Sequence, residues 1–400
     1  MTMKISVWSL LIVIGYHLWM SPVLAGPLNF GYLSWGQHSI LEQDSVQLIS
    51  HQSLLPAGDN LISLHKSLVE IESLGGNEVN VSDFLKSYLE SKGLTVELQR
   101  VSSNPTVRDN VYAYLGSQRN TKVVLTSHID TVNPFLPYYI EGDKIHGRGS
   151  CDAKSSVAAQ IFAMLELMSE GKVQEGDLSL LFVVGEEIDG IGMKTVANKL
   201  NADWEVAIFG EPTENKLGVG HKGNFRFDVY AHGKACHSGY PQEGFSAIEF
   251  LLRQCVKLMD TDLPKSKLLG PSTINIGTIE GGAAANILAA EAKAEVFIRV
   301  AEDIETIRDI AEDLFDTEHS EIKVIQYSPP QYLDYDIPGM DTVVLAYATD
   351  IPYLSDRKMK IYLFGPGSIR EAHGPNEYVT FSQLFEGLNG YKRMVMYNLR

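Results

Sequence analysis

The spacing of apolar positions along this 400-residue chain changes several times, and each change marks an element. Residues 61–71 and 79–92 repeat apolar side chains every three or four positions, as amphipathic helices do. Gly93 follows the second helix where a left-handed C-cap is wanted. Residues 95–101, 110–115 and 123–126 alternate or run apolar, the pattern of strands. The order then becomes helix 153–170, strand 178–184, helix 191–200 and strand 206–209. That βαβ rhythm predicts an α/β domain with a three-layer arrangement around a mixed, largely parallel sheet.

After Thr213 the rhythm breaks. Residues 223–232, 272–279, 291–300 and 322–327 read as strands, with helices at 245–259 and 302–315. Two helices can bury their apolar faces on a four-stranded antiparallel sheet, so this stretch predicts an α+β module that closes on itself. Pro329-Pro330 marks the end of it.

The N-terminus carries a different signal. Lys4 precedes an apolar run from Ile5 to Met20, which ends in Ser21-Pro-Val-Leu-Ala25. This predicts a signal peptide over residues 1–25 and a secreted, extracellular protein with no membrane association after its removal. A membrane anchor fits less well, because the run is short and interrupted by Gly15, Tyr16 and His17. The formal charge of −17 offers no basic field for phosphates, which excludes nucleic acid as a partner. Cys151, Cys236 and Cys255 do not make a disulfide scaffold. Cys236 and Cys255 could pair, or all three could be small buried residues. Asn80-Val-Ser82 is a usable glycosylation sequon.

Candidate chemistry sits where the strands end. The stretch 123–126 runs into Ser127-His128-Ile-Asp130-Thr131, 178–184 into Gly185-Glu186-Glu187, and 206–209 into Gly210-Glu211-Pro212-Thr213. The turn Gly147-Arg-Gly-Ser-Cys-Asp152 delivers an acid to the start of a helix, and His373 follows Phe364-Gly-Pro-Gly367. Ligand sites in parallel sheets lie outside the carboxyl ends of the strands. Asp152 could simply cap its helix, but acids and histidines at several such ends form a constellation. Carboxylates and imidazoles without thiolates suit zinc, with cobalt or manganese as less specific occupants. A two-metal site needs a bridging carboxylate, and Asp152, fixed between a turn and a helix, is the natural bridge. Asp130, two residues beyond His128, can hold its imidazole and fix the tautomer. Adjacent Glu186 and Glu187 cannot both face one metal from extended backbone; one should ligate and the other should act as general base. Because Glu211 and His373 must reach the same site, residues 217–330 read as an insertion between two parts of one domain, 26–216 and 331–400.

The same stretches, with Gly281-Gly-Ala-Ala-Ala-Asn286 and Asn376-Glu377, resemble the aminoacylase, acetylornithine deacetylase, succinyl-diaminopimelate desuccinylase and glutamate carboxypeptidase family of zinc metallopeptidases. The similarity runs from about residue 60 to the C-terminus with every motif in order. It implies two zinc ions per subunit, one held by His128, Asp152 and Glu211, the other by Asp152, Glu187 and His373. Glu186 corresponds to the general base, and the Asp152–Ala153 peptide bond to a cis bond. The inserted module resembles the family's lid, which often also forms a homodimer. Within it, His237 matches a histidine that polarises the scissile carbonyl, while Asn286 and Arg299 match substrate contacts. The implied reaction is hydrolysis of an amide next to a free carboxylate. The substrate would be a peptide trimmed from its C-terminus by a secreted carboxypeptidase, or alternatively an N-acyl amino acid cleaved by a deacylase. A non-catalytic binding protein on this scaffold would be expected to lack a ligand or the base, and none is missing.

Overall fold

The computed structural model describes residues 60–102 and 105–400, so the predicted signal segment lies outside the described residues. At the centre is a six-stranded sheet in the order Thr95–Ser102, Arg108–Tyr114, Leu178–Val183, Val123–His128, Val206–Phe209 and Lys360–Leu363. The last four strands are mutually parallel, and the first two join antiparallel at one edge. Strands 108–114, 123–128, 178–183 and 206–209 are buried along their whole length, as strands covered on both faces must be.

Alternate side chains feed two cores. Val124, Leu181, Val183 and Phe209 pack with Met193 and Val196 of the helix Ile191–Lys199. Leu125, Leu180, Phe182 and Ile208 have the opposite parity and are also buried. Along the sheet lies the helix Lys154–Ser169, which also packs on the helices Leu61–Glu70 and Phe381–Asn398. It is buried on every side from Lys154 to Leu165 because it is enclosed by sheet and helices together. Its apolar stripe is therefore broader than a surface helix would show.

The chain from Gly223 to Ser328 forms a second sheet, antiparallel throughout, ordered Thr273–Gly281, Glu291–Val300, Gly223–His232 and Ser320–Ser328. The helices Ala247–Asp260 and Ile304–Phe315 share a core with it, built on Phe225, Phe227, Leu251, Val296 and Phe315. Just before this sheet, Leu217–His221 pairs with Thr342–Leu345 and Gln331–Tyr332. The outgoing and returning chain are thus tied together at the point where the second sheet begins and ends.

Cys151, Cys236 and Cys255 are all free thiols. Asn80 is exposed in the first turn of the helix Val79–Ser91, while Ser82 is buried and donates its hydroxyl to the Asp109 carbonyl at 2.8 Å. No helix among the described residues is long and apolar enough to cross a membrane.

Candidate metal centre

The candidate ligands gather at the carboxyl end of the parallel strands. His128 is the last residue of Val123–His128 and lies in register with Val183, two residues before the Gly185-Glu186-Glu187 turn. Asp152 ends a glycine-rich turn, and its peptide bond to Ala153 is cis. The helix Lys154–Ser169 has Ala153 at its N-cap with no side-chain cap hydrogen bond, so the Asp152 carboxylate is not used for capping. Its Oδ1 lies 3.1 Å from His128 Nε2 and its Oδ2 lies 3.3 Å from His373 Nε2. One carboxylate therefore faces two imidazoles, one per oxygen.

The remaining acids divide between the two sides. Glu211 Oε1 is 3.8 Å from His128 Nε2, and Glu187 Oε1 is 3.1 Å from His373 Nε2. Ligand atoms of His128, Asp152 and Glu187 all lie within 4.8 Å of one another. His373 is held at φ 62°, a left-handed conformation that non-glycine residues adopt at some energetic cost and that clusters at functional sites.

The electrostatics follow from crowding acids in a desolvated place. Burial, then the charge of Glu211, raises the proton affinity of Glu186 well above the ordinary range. Burial likewise pushes Glu187 and Glu211 upward. Burial also opposes ionisation of Asp152, but hydrogen bonds from both histidines hold it below the usual carboxylate range. His373 rises to about 10 through its hydrogen bonds with Asp152 and Glu187. Such a cluster is expensive to leave without a compensating cation. Its oxygen and nitrogen donors fit zinc, or cobalt or manganese. Cys151 stays out of the set: its Sγ donates to the Ser368 carbonyl at 3.4 Å, and burial keeps it a thiol.

Asp130 faces His128 with two groups. The closer partner of His128 Nδ1 is the Asp130 main-chain carbonyl at 3.0 Å, whereas the carboxylate lies at 3.6 Å. The carboxylate instead accepts from two backbone amides, Glu186 N to Oδ1 and Glu187 N to Oδ2, both at 3.1 Å. Asp130 thus holds the histidine through its main-chain carbonyl, with its carboxylate close by, and the adjacent glutamates through that carboxylate.

Sequence reading gave no role to the pair Arg148 and Glu377, which are 229 positions apart and joined at 2.6 Å. The Glu377 Oε1 accepts from the amides of Cys151 and Asp152 at 3.1 and 3.0 Å. Arg148 also donates to the His373 carbonyl at 3.5 Å. One buried ion pair therefore ties the Asp152 turn to the His373 loop. Glu377 stood inside the Asn376-Glu377 motif, but nothing local in the sequence named its partner.

The three expected substrate contacts are placed differently from one another. His237 is exposed, and its Nδ1 accepts from Gly239 N at 3.0 Å. Asn286 is exposed and its carbonyl accepts from Ser238 N. No hydrogen bond or ion pair among the described residues joins either to the metal-type cluster. Arg299 is half-buried, donates to Asn224 Oδ1 at 2.6 Å, and lines a cavity of about 420 Å³ together with Pro212 and Thr213, which directly follow Glu211.

The parallel sheet with acids and histidines at its carboxyl ends has the form of a metallohydrolase. Residues 124–397 match peptidase family M20/M25/M40, and the chain belongs to that family. A probable carboxypeptidase of Aspergillus flavus is 41% identical over 387 residues, 85% of this chain and 90% of the relative. One from Aspergillus niger is 40% identical over 389 residues, 88% and 93% of the two chains. Among solved structures, a tripeptidase of Staphylococcus aureus superposes with a TM-score of 0.73 at 23% identity, covering 84% of this chain and 97% of the other. An M20 family metallo-carboxypeptidase of Sulfolobus solfataricus gives 0.69 at 15% identity, covering 86% and 100%.

Proposed function

We propose that this chain is a secreted, dinuclear zinc carboxypeptidase that hydrolyses the C-terminal peptide bond of its substrates. The observation that carries the reading is Asp152, with one oxygen toward His128 and the other toward His373. In this reading His128, Asp152 and Glu211 hold one ion, and Asp152, Glu187 and His373 the other. Bound there, the metals would supply Lewis-acid polarisation of the scissile carbonyl and acidify the attacking water. Glu186 accepts a proton from that water as its oxygen bonds to the carbonyl carbon. It then donates the proton to the amide nitrogen as the carbon–nitrogen bond breaks. A desolvated carboxyl with raised proton affinity suits a group that both takes and returns a proton.

Two features favour a peptide with a free C-terminus over an N-acyl amino acid. The relatives at about 40% identity are named probable carboxypeptidases, and Arg299 offers a fork of donors suited to a terminal carboxylate beside the Glu211 loop. Secretion rests on the sequence of residues 1–25, and glycosylation on exposed Asn80.

Residues 217–330 would act as the lid. The exposed apolar side chains Leu252, Val256 and Met259 recur three and four residues apart on its helix Ala247–Asp260, which supports a homodimer through this module. Sedimentation equilibrium should return the mass of a dimer, and a monomer at micromolar concentration would count against the interface.

Metal dependence tests the function. Dialysis against a strong chelator should abolish hydrolysis and leave the protein folded, and added zinc or cobalt should restore it. Full activity in a preparation shown by elemental analysis to be metal-free would refute the reading.

A further inference from the structure

The turn over residues 147–152 aims the Asp152 carboxylate, and Glu377 is not its only support. The helix Leu61–Glu70 also grips it. His65 lies on the buried face of that helix with Leu61, Leu64 and Leu68, and is 0% exposed. Its Nε2 donates to the Ser150 carbonyl at 2.9 Å, two residues before Asp152. One residue past the helix, the Ile71 carbonyl accepts from Lys154 Nζ at 2.7 Å, two residues after Asp152. Both flanks of Asp152 are thus tied to one helix and its C-cap.

The choice of histidine at position 65 carries information. A carbonyl only accepts, so the proton is on Nε2. Burial lowers the pKa of this imidazole to about 4 against the pull of the Ser150 hydrogen bond, and the Lys154 charge adds to the lowering. The ring is therefore neutral at pH 7 with a bare Nδ1. That Nδ1 is buried and has no hydrogen-bond partner among the described residues. A leucine would fill the same helix face without burying an unsatisfied polar atom, so packing alone does not account for the imidazole.

The acceptor is equally specific. The Ser150 carbonyl and the Cys151 amide belong to one planar peptide unit. His65 holds the oxygen of that unit, and Glu377 Oε1 accepts its N–H at 3.1 Å. A plane held at both edges cannot rotate without breaking one of these hydrogen bonds, and Asp152 is the next residue along. We propose that His65 is a positioning residue for the metal centre: its Nε2–H fixes the peptide plane that directs one Asp152 oxygen toward His128 and the other toward His373. This rests on the metal-centre reading above and adds a residue to it.

The test is the zinc affinity of the full chain, measured by competition of the metal-free protein with a fluorescent chelator. His65→Leu keeps the apolar bulk and removes the donor, whereas His65→Gln keeps an N–H of similar reach. His65→Leu should bind zinc about 10–100-fold more weakly, and His65→Gln should recover most of that loss. Circular dichroism shows whether each variant is folded. Unchanged affinity in a folded His65→Leu protein, or an equal loss in both variants, would overturn the proposal and leave the metal centre standing. If either variant does not fold, ring-nitrogen NMR of the unsubstituted chain decides. The Nε2–H tautomer should be seen, and its proton should exchange more slowly once zinc is added. An Nδ1–H tautomer, or exchange that zinc leaves unchanged, would overturn the proposal. An unsubstituted chain that binds no zinc would overturn the metal-centre reading as well.

Discussion

Replacing Glu186 with glutamine should lower kcat by roughly 10²–10⁴-fold at unchanged metal content, the usual contribution of a general acid–base group. Glu186 and Glu187 are chemically identical neighbours whose amides are both held by the Asp130 carboxylate. Of their two side chains, it is that of Glu187 that reaches His373, at 3.1 Å. Glu187→Gln should therefore weaken metal binding, with activity partly recovered at high zinc. Asp130→Asn is expected to fall between, at about 10–100-fold, because an amide nitrogen cannot accept the second backbone hydrogen bond. Bound zinc and kcat measured for the three variants decide the assignment. A Glu186→Gln protein that has lost a metal, beside a Glu187→Gln protein that keeps both, would reverse it.

The second large effect concerns stability. Glu377→Ala should destabilise the metal-free protein by about 3–5 kcal/mol, because it leaves a charge unpaired in the interior. The Arg148 side chain is 2% exposed and that of Glu377 is 0% exposed. The alanine variant also orphans the Cys151 and Asp152 amides that Glu377 accepts. Glu377→Gln keeps an acceptor oxygen in place and should lose less. Denaturant unfolding of the chelator-treated variants measures both. A loss below about 1 kcal/mol for Glu377→Ala would mean that this ion pair does little to hold the Asp152 turn.

Much of this architecture was legible because local periodicity and burial agree. Glu291–Val300 alternates between half-buried and buried positions over most of its length, and its ends were read to the residue. The helices Leu61–Glu70 and Val79–Ser91 bury one stripe each and were equally readable. The C-terminal part was not assigned. The strand Lys360–Leu363 has only four residues, too few to establish a period. The helix Phe381–Asn398 contains Gly387 and Gly390, which weaken a helical pattern. Its packing explains them: a Cβ on Gly390 would come within 2.1 Å of the Phe364 ring.

The candidate centre was legible for a different reason. The candidate ligands His128, Glu187 and Glu211 lie at or just past the ends of apolar strands, so the order of those motifs also sets their place on the sheet. What the spacing could not resolve was which part of a residue acts. Asp130 offers a carbonyl and a carboxylate at the same point along the chain, and the fold puts the carbonyl nearer His128 while the carboxylate also accepts from the Glu186 and Glu187 amides. Nor could it show that, among the described residues, no hydrogen bond or ion pair joins exposed His237 or Asn286 to the cluster. Long-range pairs such as Arg148 with Glu377 need the fold itself.

The central claim is cleavage of an amide beside a free carboxylate by a metal centre at Asp152. It is tested most directly by product analysis after the zinc-loaded protein is incubated with a peptide, the same peptide amidated at its C-terminus, and a set of N-acetyl amino acids. The account predicts release of the last residue from the free-acid peptide, little from the amide, little deacetylation, and no turnover by the Asp152→Asn variant. Deacetylation without peptide trimming would make the protein a deacylase. Equal cleavage of the acid and the amide, or full activity in the Asp152→Asn variant, would contradict the account.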